Sequence, residues 1–292
     1  MARRVVILGG TGKMGRWFAR FFRDKGYEVV IGGRSPLRNK AVAQELGYGV
    51  EAAASNVEAT NEADIVVVST TLEATVETIR GIRGSVKKGA IVFDVASVKA
   101  DIPAALKELS TTGVRVISTH PMFGPGADSF RGRKVVVIPV TDDEDLTTWA
   151  VDLFRTEGAE VHVVASGQEH DRIVAITLSL THFVNIVLAR MLTDRDIRMI
   201  KELAGTTFSI QLTLLEAVLS EDPGLYYAIE DMNPEFRPLL MELLSKAQET
   251  VASLDDKETF VKNFLDARRS VSRDPGYQSA YERFYRAVKA TV

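Results

Sequence analysis

The chain has 292 residues, of which 46% are hydrophobic and 26% are charged, as in ordinary globular proteins. It has no cysteine and only four histidines, which excludes disulfides, thiolate metal sites and a cysteine nucleophile, and we expect no bound metal. The net charge of −3 argues against nucleic-acid binding, and we expect a cytoplasmic protein without a membrane span, since no apolar run approaches about 18 residues.

Short apolar runs alternate with amphipathic segments over roughly the first 165 residues. In the first amphipathic segment, Met14, Trp17, Phe18, Phe21 and Phe22 form one apolar stripe at helical spacing. This alternation predicts an α/β fold, an N-terminal Rossmann domain with a doubly wound, mostly parallel sheet. The predicted strands are Val5–Leu8, Glu28–Ile31, Asp64–Val68, Ala90–Val95, Val114–Thr119, Lys134–Val140 and Glu160–Val164.

The pattern changes near Ser166, after which no convincing strand follows. We therefore predict two domains, residues 1–165 and an all-helical domain of residues 166–292. The first of its helices is too apolar to have one wet face, so it is either the central helix of a bundle or part of a dimer interface. The predicted helices are Gln168–Leu192, about Asp196–Leu219, Gly224–Met232, Glu235–Leu254, Lys257–Val271 and Tyr277–Ala290.

A glycine-rich loop follows the first strand. Its spacing is G-x-G-x-x-G, which permits a tight turn and a close approach of the backbone to a pyrophosphate at the helix N-terminus. This pattern predicts a dinucleotide site, and the alternative is a glycine-rich turn without a ligand. The predicted contacts are Gly10, Thr11, Gly12, Lys13, Met14 and Gly15.

The second strand ends without the acidic residue that binds the ribose 2′-hydroxyl of NAD. Instead, Arg34 and Ser35 follow it, and they can bind a 2′-phosphate through charge-assisted hydrogen bonds. This favours NADP over NAD, although Arg34 would allow both cofactors if it only stacked on adenine. Ser69 and Thr70, after the third predicted strand, are further predicted cofactor contacts.

Polar residues follow other strand ends, where open α/β sheets bind their ligands. His120 is the best acid–base candidate, because the pKa of an imidazole lies nearest neutrality; the alternative is a hydrogen-bonded structural histidine. Ser97 is a candidate hydrogen-bond donor to the same substrate group or to the nicotinamide amide. Lys99 is more simply interpreted as a surface lysine at a helix N-terminus.

The long apolar helix carries two histidines. His182 is costly in such surroundings unless it is paired, so we predict a substrate or water contact, with a satisfied core histidine as the alternative. His170 and Asp171 lie near the helix start, where we favour a structural role such as capping.

Several motifs, in this order, resemble the prephenate/arogenate dehydrogenase family, especially its archaeal members. The resemblance covers nearly the whole chain. It rests on the residue ranges Gly10–Gly15, Asp94–Lys99, His120–Pro125, His170–Ile173, Leu180–Phe183 and Asp222–Tyr226, and on Asn233-Pro234.

The resemblance implies a Rossmann domain followed by a helical domain that forms a homodimer. It implies NAD(P)-dependent oxidative decarboxylation of prephenate to 4-hydroxyphenylpyruvate in tyrosine biosynthesis. In that role, His120 would accept a hydrogen bond from the 4-hydroxyl of the substrate, Ser97 would help to hold this hydroxyl, and His182 would lie close to the substrate.

Two departures from the family affect the substrate assignment. Many relatives have Ser-His-Leu-Pro-His on the long helix, where residues 178–182 are Leu-Ser-Leu-Thr-His. Many also have a substrate-binding arginine at the position of Ala217. These departures bear on the substrate more than on the cofactor. Prephenate and arogenate are both candidate substrates, because they share the ring chemistry and differ at the side-chain amine. Alternative cations for the substrate carboxylates are Arg131, Arg133, Arg172 and Arg237.

Other functions are compatible with parts of the pattern. A β-hydroxyacid dehydrogenase would use a lysine on the helical domain, and Lys201 lacks the surrounding glycine-rich motif. A short-chain reductase would use a Tyr-x-x-x-Lys pair, but Tyr285 and Lys289 lie far from any predicted strand end. A non-catalytic NADP-binding sensor is the alternative outside enzymes, and His120 and Ser97 argue against it.

Overall fold

A computed structural model of the protein describes residues 3–291. Contacts between residues divide the chain into two compact units. The first unit extends to Val174 and includes Asp231–Pro234, and the second contains Ala175–Glu230 and the residues from Glu235 onward. The predicted domain boundary between residues 165 and 166 stays a prediction.

The first unit contains an eight-stranded sheet with the order β3-β2-β1-β4-β5-β6-β7-β8. All neighbouring strands are parallel except β6 and β7, which confirms the doubly wound, mostly parallel Rossmann sheet. β3 was not predicted, because three residues are too few to show a periodic pattern. The strands are β1 Arg4–Leu8, β2 Glu28–Gly32, β3 Val50–Ala52, β4 Ile65–Val68, β5 Ile91–Asp94, β6 Arg115–Pro121, β7 Lys134–Pro139 and β8 Glu160–Val163.

Helices cover both faces of this sheet. On β1, for example, Val5 and Ile7 belong to the core shared with the first helix, while Val6 and Leu8 on the opposite face are equally buried. Burial on both faces explains why the strands are continuous apolar runs. The helices of this unit are α1 Lys13–Asp24, α2 Pro36–Leu46, α3 Asn56–Thr60, α4 Leu72–Gly81, α5 Ile102–Ser110, α6 Glu144–Arg155 and α7 Gly167–Val174.

An aromatic cluster joins α1 to the loop that follows β6. The ring of Trp17 lies 4.7 Å from that of Phe130 and 5.3 Å from that of Phe123, both in edge-to-face geometry. The indole Nε1 of Trp17 also donates a hydrogen bond to the carbonyl oxygen of Ala127 at 2.6 Å. The predicted apolar stripe of α1 therefore anchors the loop that leaves β6.

The second unit has no strand among its described residues, which confirms the all-helical domain. The predicted helix over residues 196–219 is instead two helices, because the chain breaks at Ala204-Gly205. A π-helical segment, Ala175–Leu180, precedes the first helix of this unit. The helices are α8 Thr181–Met191, α9 Ile197–Glu202, α10 Thr206–Leu219, α11 Pro223–Met232, α12 Phe236–Ala252, α13 Lys257–Val271 and α14 Ala280–Thr291. The last two residues of α11 belong to the first unit.

The continuous helical stretch Gly167–Met191 is long and apolar enough to cross a membrane, with a mean hydropathy of 1.7 over 18 residues. The expectation that no apolar segment approaches this length was wrong, because isolated polar residues such as His182 barely lower the mean hydropathy of a long window. Core helices of soluble proteins have the same property.

Candidate active site

The glycine loop forms a tight connection between β1 and α1. A Cβ atom on Gly15 would lie 2.3 Å from the carbonyl oxygen of Gly9, and one on Gly10 would lie 2.6 Å from Cγ2 of Ile31. Gly12 is the N-cap of α1, and no side chain caps this helix. The N–H groups of the first turn therefore point out of the helix toward the loop, as a pyrophosphate site requires.

The other residues predicted for the dinucleotide site are Thr11 of the loop and the first two residues of α1. Thr11 is half-buried in the loop, Lys13 is exposed, and Met14 packs partly against the core. The glycine loop and the first turn of α1, residues 9–15, are called the glycine cradle. This cradle therefore offers backbone N–H groups rather than an apolar surface. This fits a dinucleotide phosphate.

The connection between β2 and α2 carries the two residues predicted to select the cofactor. Arg34 is exposed, and Oγ of Ser35 accepts a hydrogen bond from the N–H of Arg38 at 3.4 Å, so Ser35 caps α2. A cation and a helix N-terminus therefore lie next to each other in the chain, and both attract anions.

Ser69 and Thr70 follow β4, the neighbour of β1 on the side where the strand order reverses. A Cβ atom on Gly9 would lie 2.4 Å from the carbonyl oxygen of Ser69, so the glycine loop approaches this strand end closely. Oγ1 of Thr70 lies 3.0 Å from Oγ1 of Thr75. The Thr70 hydroxyl is therefore engaged within the chain.

His120 lies inside β6, opposite Val136 of β7, because this strand continues two residues beyond the predicted end. Only 4% of the residue is exposed. Its Nδ1 lies 2.8 Å from Nε2 of His170, and its Nε2 has no hydrogen-bond partner among the described residues. Burial lowers the pKa of His120 well below its usual value, and His170 and Lys99 add to this effect, so the imidazole is neutral at pH 7.

Asp171 is buried and binds three groups. Its Oδ1 lies 2.8 Å from Nδ1 of His170 and accepts the N–H of Lys99 at 2.9 Å, while its Oδ2 accepts the N–H of Ala100 at 2.8 Å. The capping interpretation of His170 and Asp171 was wrong, because these partners lie 71 and 72 residues earlier in the chain. The sequence contained only the adjacent His-Asp pair as a signal for this arrangement.

Lys99 is fully buried, so its interpretation as a surface lysine was wrong. Its ammonium donates to Oδ2 of Asp94 and to the carbonyl oxygen of Thr119, both at 2.7 Å. Burial lowers the pKa of Lys99, and the Asp94 carboxylate opposes this effect. Asp94 also accepts the hydroxyl of Ser118, so this network joins the ends of β5 and β6.

Ser97 lies between the two members of this ion pair in the sequence. The residue is half-buried, and its hydroxyl makes no hydrogen bond to a described residue. It follows β5, which pairs with β6 through Asp94 and Ser118. The Ser97 hydroxyl, which has no partner among the described residues, therefore follows the strand next to the one that carries His120.

The second unit contains His182, whose ring lies 4.3 Å from that of Tyr226. Three buried atoms have no hydrogen-bond partner within residues 3–291, namely Nδ1 of His182, Oγ of Ser179 and Oε1 of Glu230. Burial lowers the pKa of His182 and raises the pKa of Glu230. Unpartnered buried polar atoms are uncommon, so these groups are candidates for ligand contacts. No cluster of metal-ligating side chains lies within the described part of the chain.

Comparison with known proteins decides the family. The model for the nucleotide-binding domain of prephenate dehydrogenase matches residues 18–163, and that for its dimerization domain matches residues 166–265. The chain belongs to the prephenate dehydrogenase family. The resemblance of its motifs to this family is thereby confirmed.

Relatives from the prephenate dehydrogenase family match most of the chain. A probable arogenate/prephenate dehydrogenase of Methanocaldococcus jannaschii is 32% identical over 91% of this chain and 60% of its own length. A 4-amino-4-deoxyprephenate dehydrogenase of Streptomyces pristinaespiralis is 27% identical over 91% of this chain and 90% of its own length. The chain therefore spans 60% of the length of the archaeal relative.

A solved structure has the same fold. The prephenate dehydrogenase of A. aeolicus, in complex with hydroxyphenyl propionate and NAD+, superposes with a TM-score of 0.72 and 19% identity. The match covers 94% of this chain and 98% of that one. It confirms a Rossmann domain followed by a helical domain.

The buried ion pair predicts a large effect on stability. In Asp94→Asn, the Lys99 ammonium keeps its buried position without its carboxylate, so we expect a loss of about 3 kcal/mol. Urea unfolding followed by tryptophan fluorescence measures this, because both tryptophans, Trp17 and Trp149, lie in the first unit.

The matched control is Glu108→Gln. Glu108 pairs with Arg80 at 3.1 Å, but half of each side chain is exposed. We expect little change in the unfolding midpoint of this variant, since solvent screens the pair. An equal effect of the two substitutions would contradict the importance assigned to the buried pair.

Proposed function

We propose that this protein is a dehydrogenase that uses a nicotinamide cofactor to convert prephenate into 4-hydroxyphenylpyruvate and CO2, in tyrosine biosynthesis. The observation that carries the proposal is a neutral, buried His120 whose Nε2 has no partner among the described residues, in the same unit as the glycine cradle. Membership of the family supports the reaction class. The cytoplasmic location expected from the lack of cysteine stays a prediction.

Arogenate is the second candidate substrate. It shares the ring with prephenate and differs at the side-chain amine, so the role of His120 is the same for both. The archaeal relative is a probable arogenate/prephenate dehydrogenase, so both substrates are compatible with the likeness. A comparison of the two substrates, each with NADP and with NAD, decides between them.

The fit of the glycine cradle supports a dinucleotide cofactor. The cradle would hold the pyrophosphate with N–H groups of α1, and Arg34 and Ser35 would bind a 2′-phosphate, so we propose NADP as the preferred cofactor. A nicotinamide bound there would supply the acceptor for the hydride that leaves C4 of the substrate.

The side chain of His120 is proposed to take up and return the proton of the substrate hydroxyl. Nε2 of His120 accepts a hydrogen bond from the 4-hydroxyl and takes its proton as this oxygen becomes a carbonyl. Loss of CO2 then makes the ring aromatic and leaves a phenolate, which regains the proton from His120. The proposed role of Ser97 is to hold the hydroxyl in line, and a substrate contact of His182 stays a prediction.

We also propose that the helical unit forms a homodimer. Large apolar side chains of this unit are exposed, including Leu203, Met241 and Leu254. Single exposed apolar residues are normal, but such a series on one unit is typical of an interaction surface. The matching family model is that of a dimerization domain.

The test of the cofactor and the reaction is steady-state reduction of NADP or NAD with prephenate, arogenate or neither. The proposal predicts turnover with one of the two substrates. Binding of NADP without turnover would instead support a sensor. Oxidation of a 3-hydroxy acid would support a β-hydroxyacid dehydrogenase.

In His120→Asn, we expect kcat to fall on the order of 10²-fold or more, because the general base is lost. The dissociation constant of the cofactor, measured by fluorescence titration, should stay unchanged. His162→Asn is the matched control, since His162 is exposed on β8. Turnover of His120→Asn close to that of the wild type would overturn the assignment.

In Arg34→Ala, we expect weaker binding of NADP and little change for NAD, because only NADP carries the 2′-phosphate. Calorimetric titration with each cofactor measures the two affinities. Arg38→Ala is the control for a general loss of positive charge on this segment. Equal losses for both cofactors in Arg34→Ala would show that Arg34 does not read the 2′-phosphate.

Light scattering at micromolar concentration should give a mass about twice the 32.1 kDa of one chain. In Met241→Glu, we expect dissociation toward the monomer, because a charge replaces an exposed apolar side chain of the helical unit. Tyr48→Glu, on the exposed surface of the first unit, is the control. A monomeric wild-type protein would contradict the dimer.

A further inference from the structure

Three side chains of the first unit form a continuous hydrogen-bonded chain. Asp171 lies 2.8 Å from Nδ1 of His170, and Nε2 of His170 lies 2.8 Å from Nδ1 of His120. All three residues are buried. No step of the proposed reaction involves two of them, His170 and Asp171.

The partners of Asp171 determine where the protons lie. Its two oxygens accept the backbone N–H groups of Lys99 and Ala100, so the carboxylate is surrounded by donors. Nδ1 of His170 must then be the protonated nitrogen that donates to it. A neutral His170 therefore has its lone pair on Nε2, where it accepts a hydrogen bond.

The position of the proton on His170 determines that on His120. Its Nδ1 faces the lone pair of His170, so Nδ1 must carry the proton and donate. The lone pair of His120 is then on Nε2, the nitrogen without a partner among the described residues. This is the tautomer that a general base for the substrate hydroxyl requires.

We propose that His170 and Asp171 are positioning residues that fix His120 as the Nδ1–H tautomer and share the proton that it takes up. The role of the tautomer in catalysis rests on the proposed function. The hydroxyl proton moves to Nε2 of His120, and the Nδ1 proton of His120 moves to Nε2 of His170. The positive charge then lies beside the Asp171 carboxylate, and the reverse transfers return a proton to the phenolate.

Burial and the charge of Lys99 favour the neutral forms of His120 and His170. Burial lowers the pKa of His170, as it does that of His120, and the Lys99 ammonium lowers both further. Asp171 and Asp94 act in the opposite direction on His170. When a proton reaches His170, the carboxylates of Asp171 and Asp94 therefore offset part of the cost of a buried positive charge.

The tautomers can be observed directly by 15N NMR of histidine-labelled protein, without any substrate. Only four histidines contribute, and His162 and His182 lie outside the proposed chain of hydrogen bonds. We expect the Nδ1–H tautomer for both His120 and His170. In Asp171→Asn, the amide oxygen in the place of Oδ1 still accepts from Nδ1 of His170 and from the N–H of Lys99, so we expect both tautomers to be kept. The negative charge is lost, so protonated His170 is no longer stabilised and we expect kcat to fall about 10-fold.

Asp171→Asn also disturbs the backbone contact of Ala100, so a second pair of variants provides a test that does not depend on its folding. In His170→Gln, the amide can donate to Asp171 and accept from His120, and we expect the His120 tautomer to be kept while kcat falls about 10-fold. In His170→Leu, the acceptor is lost, and we expect mixed tautomers and a fall in kcat of about 10²-fold or more. The KM of the cofactor should change in neither variant.

An Nε2–H tautomer of His120 in the wild-type protein would overturn the proposal. So would an unchanged His120 tautomer with unchanged kcat in His170→Leu. If the tautomers are as expected but neither prephenate nor arogenate is oxidised, the proposed function fails and the positioning role of His170 and Asp171 stands.

Discussion

The carboxylate of Asp171 is the contact on which the candidate site depends. It ties α7 to the turn after β5 by accepting two consecutive backbone N–H groups, those of Lys99 and Ala100. Ala100 has a φ of 36°, which a residue with a Cβ rarely adopts. The two hydrogen bonds stabilise this strained turn, and the same carboxylate orients His170 against His120. Backbone conformation and side-chain chemistry are therefore set by one group.

The ion pair beneath this turn has a related function. Lys99 is buried among acceptors from β5 and β6, namely the Asp94 carboxylate and the Thr119 carbonyl. Burial of an ammonium costs desolvation free energy. Close ion pairing and satisfied hydrogen bonds offset this cost. Because Thr119 precedes His120, the pair also holds the strand segment that carries the imidazole. The positive charge of Lys99 lowers the pKa of that imidazole as well.

The cofactor cradle depends on a different physical constraint, the absence of side chains. Gly15 packs so closely on Gly9 that any Cβ would collide with its carbonyl oxygen. The aromatic contacts of Trp17 then join the helix after this loop to the segment after His120. The dinucleotide cradle and the imidazole are therefore held by one core. The second unit has buried polar atoms without a hydrogen-bond partner among the described residues, on Ser179, His182 and Glu230.

The sequence by itself determined the Rossmann sheet, the all-helical second unit and the glycine loop, because these follow from local periodicity and from motifs within a few residues. It also singled out His120 from its place at a strand end. Only the tertiary structure decided that Lys99 is buried and that His170 and Asp171 contact the site. The contacts of His170 and Asp171 with His120, Lys99 and Ala100 join residues 50 to 72 positions apart, and no local pattern encodes which distant groups will meet when the chain packs.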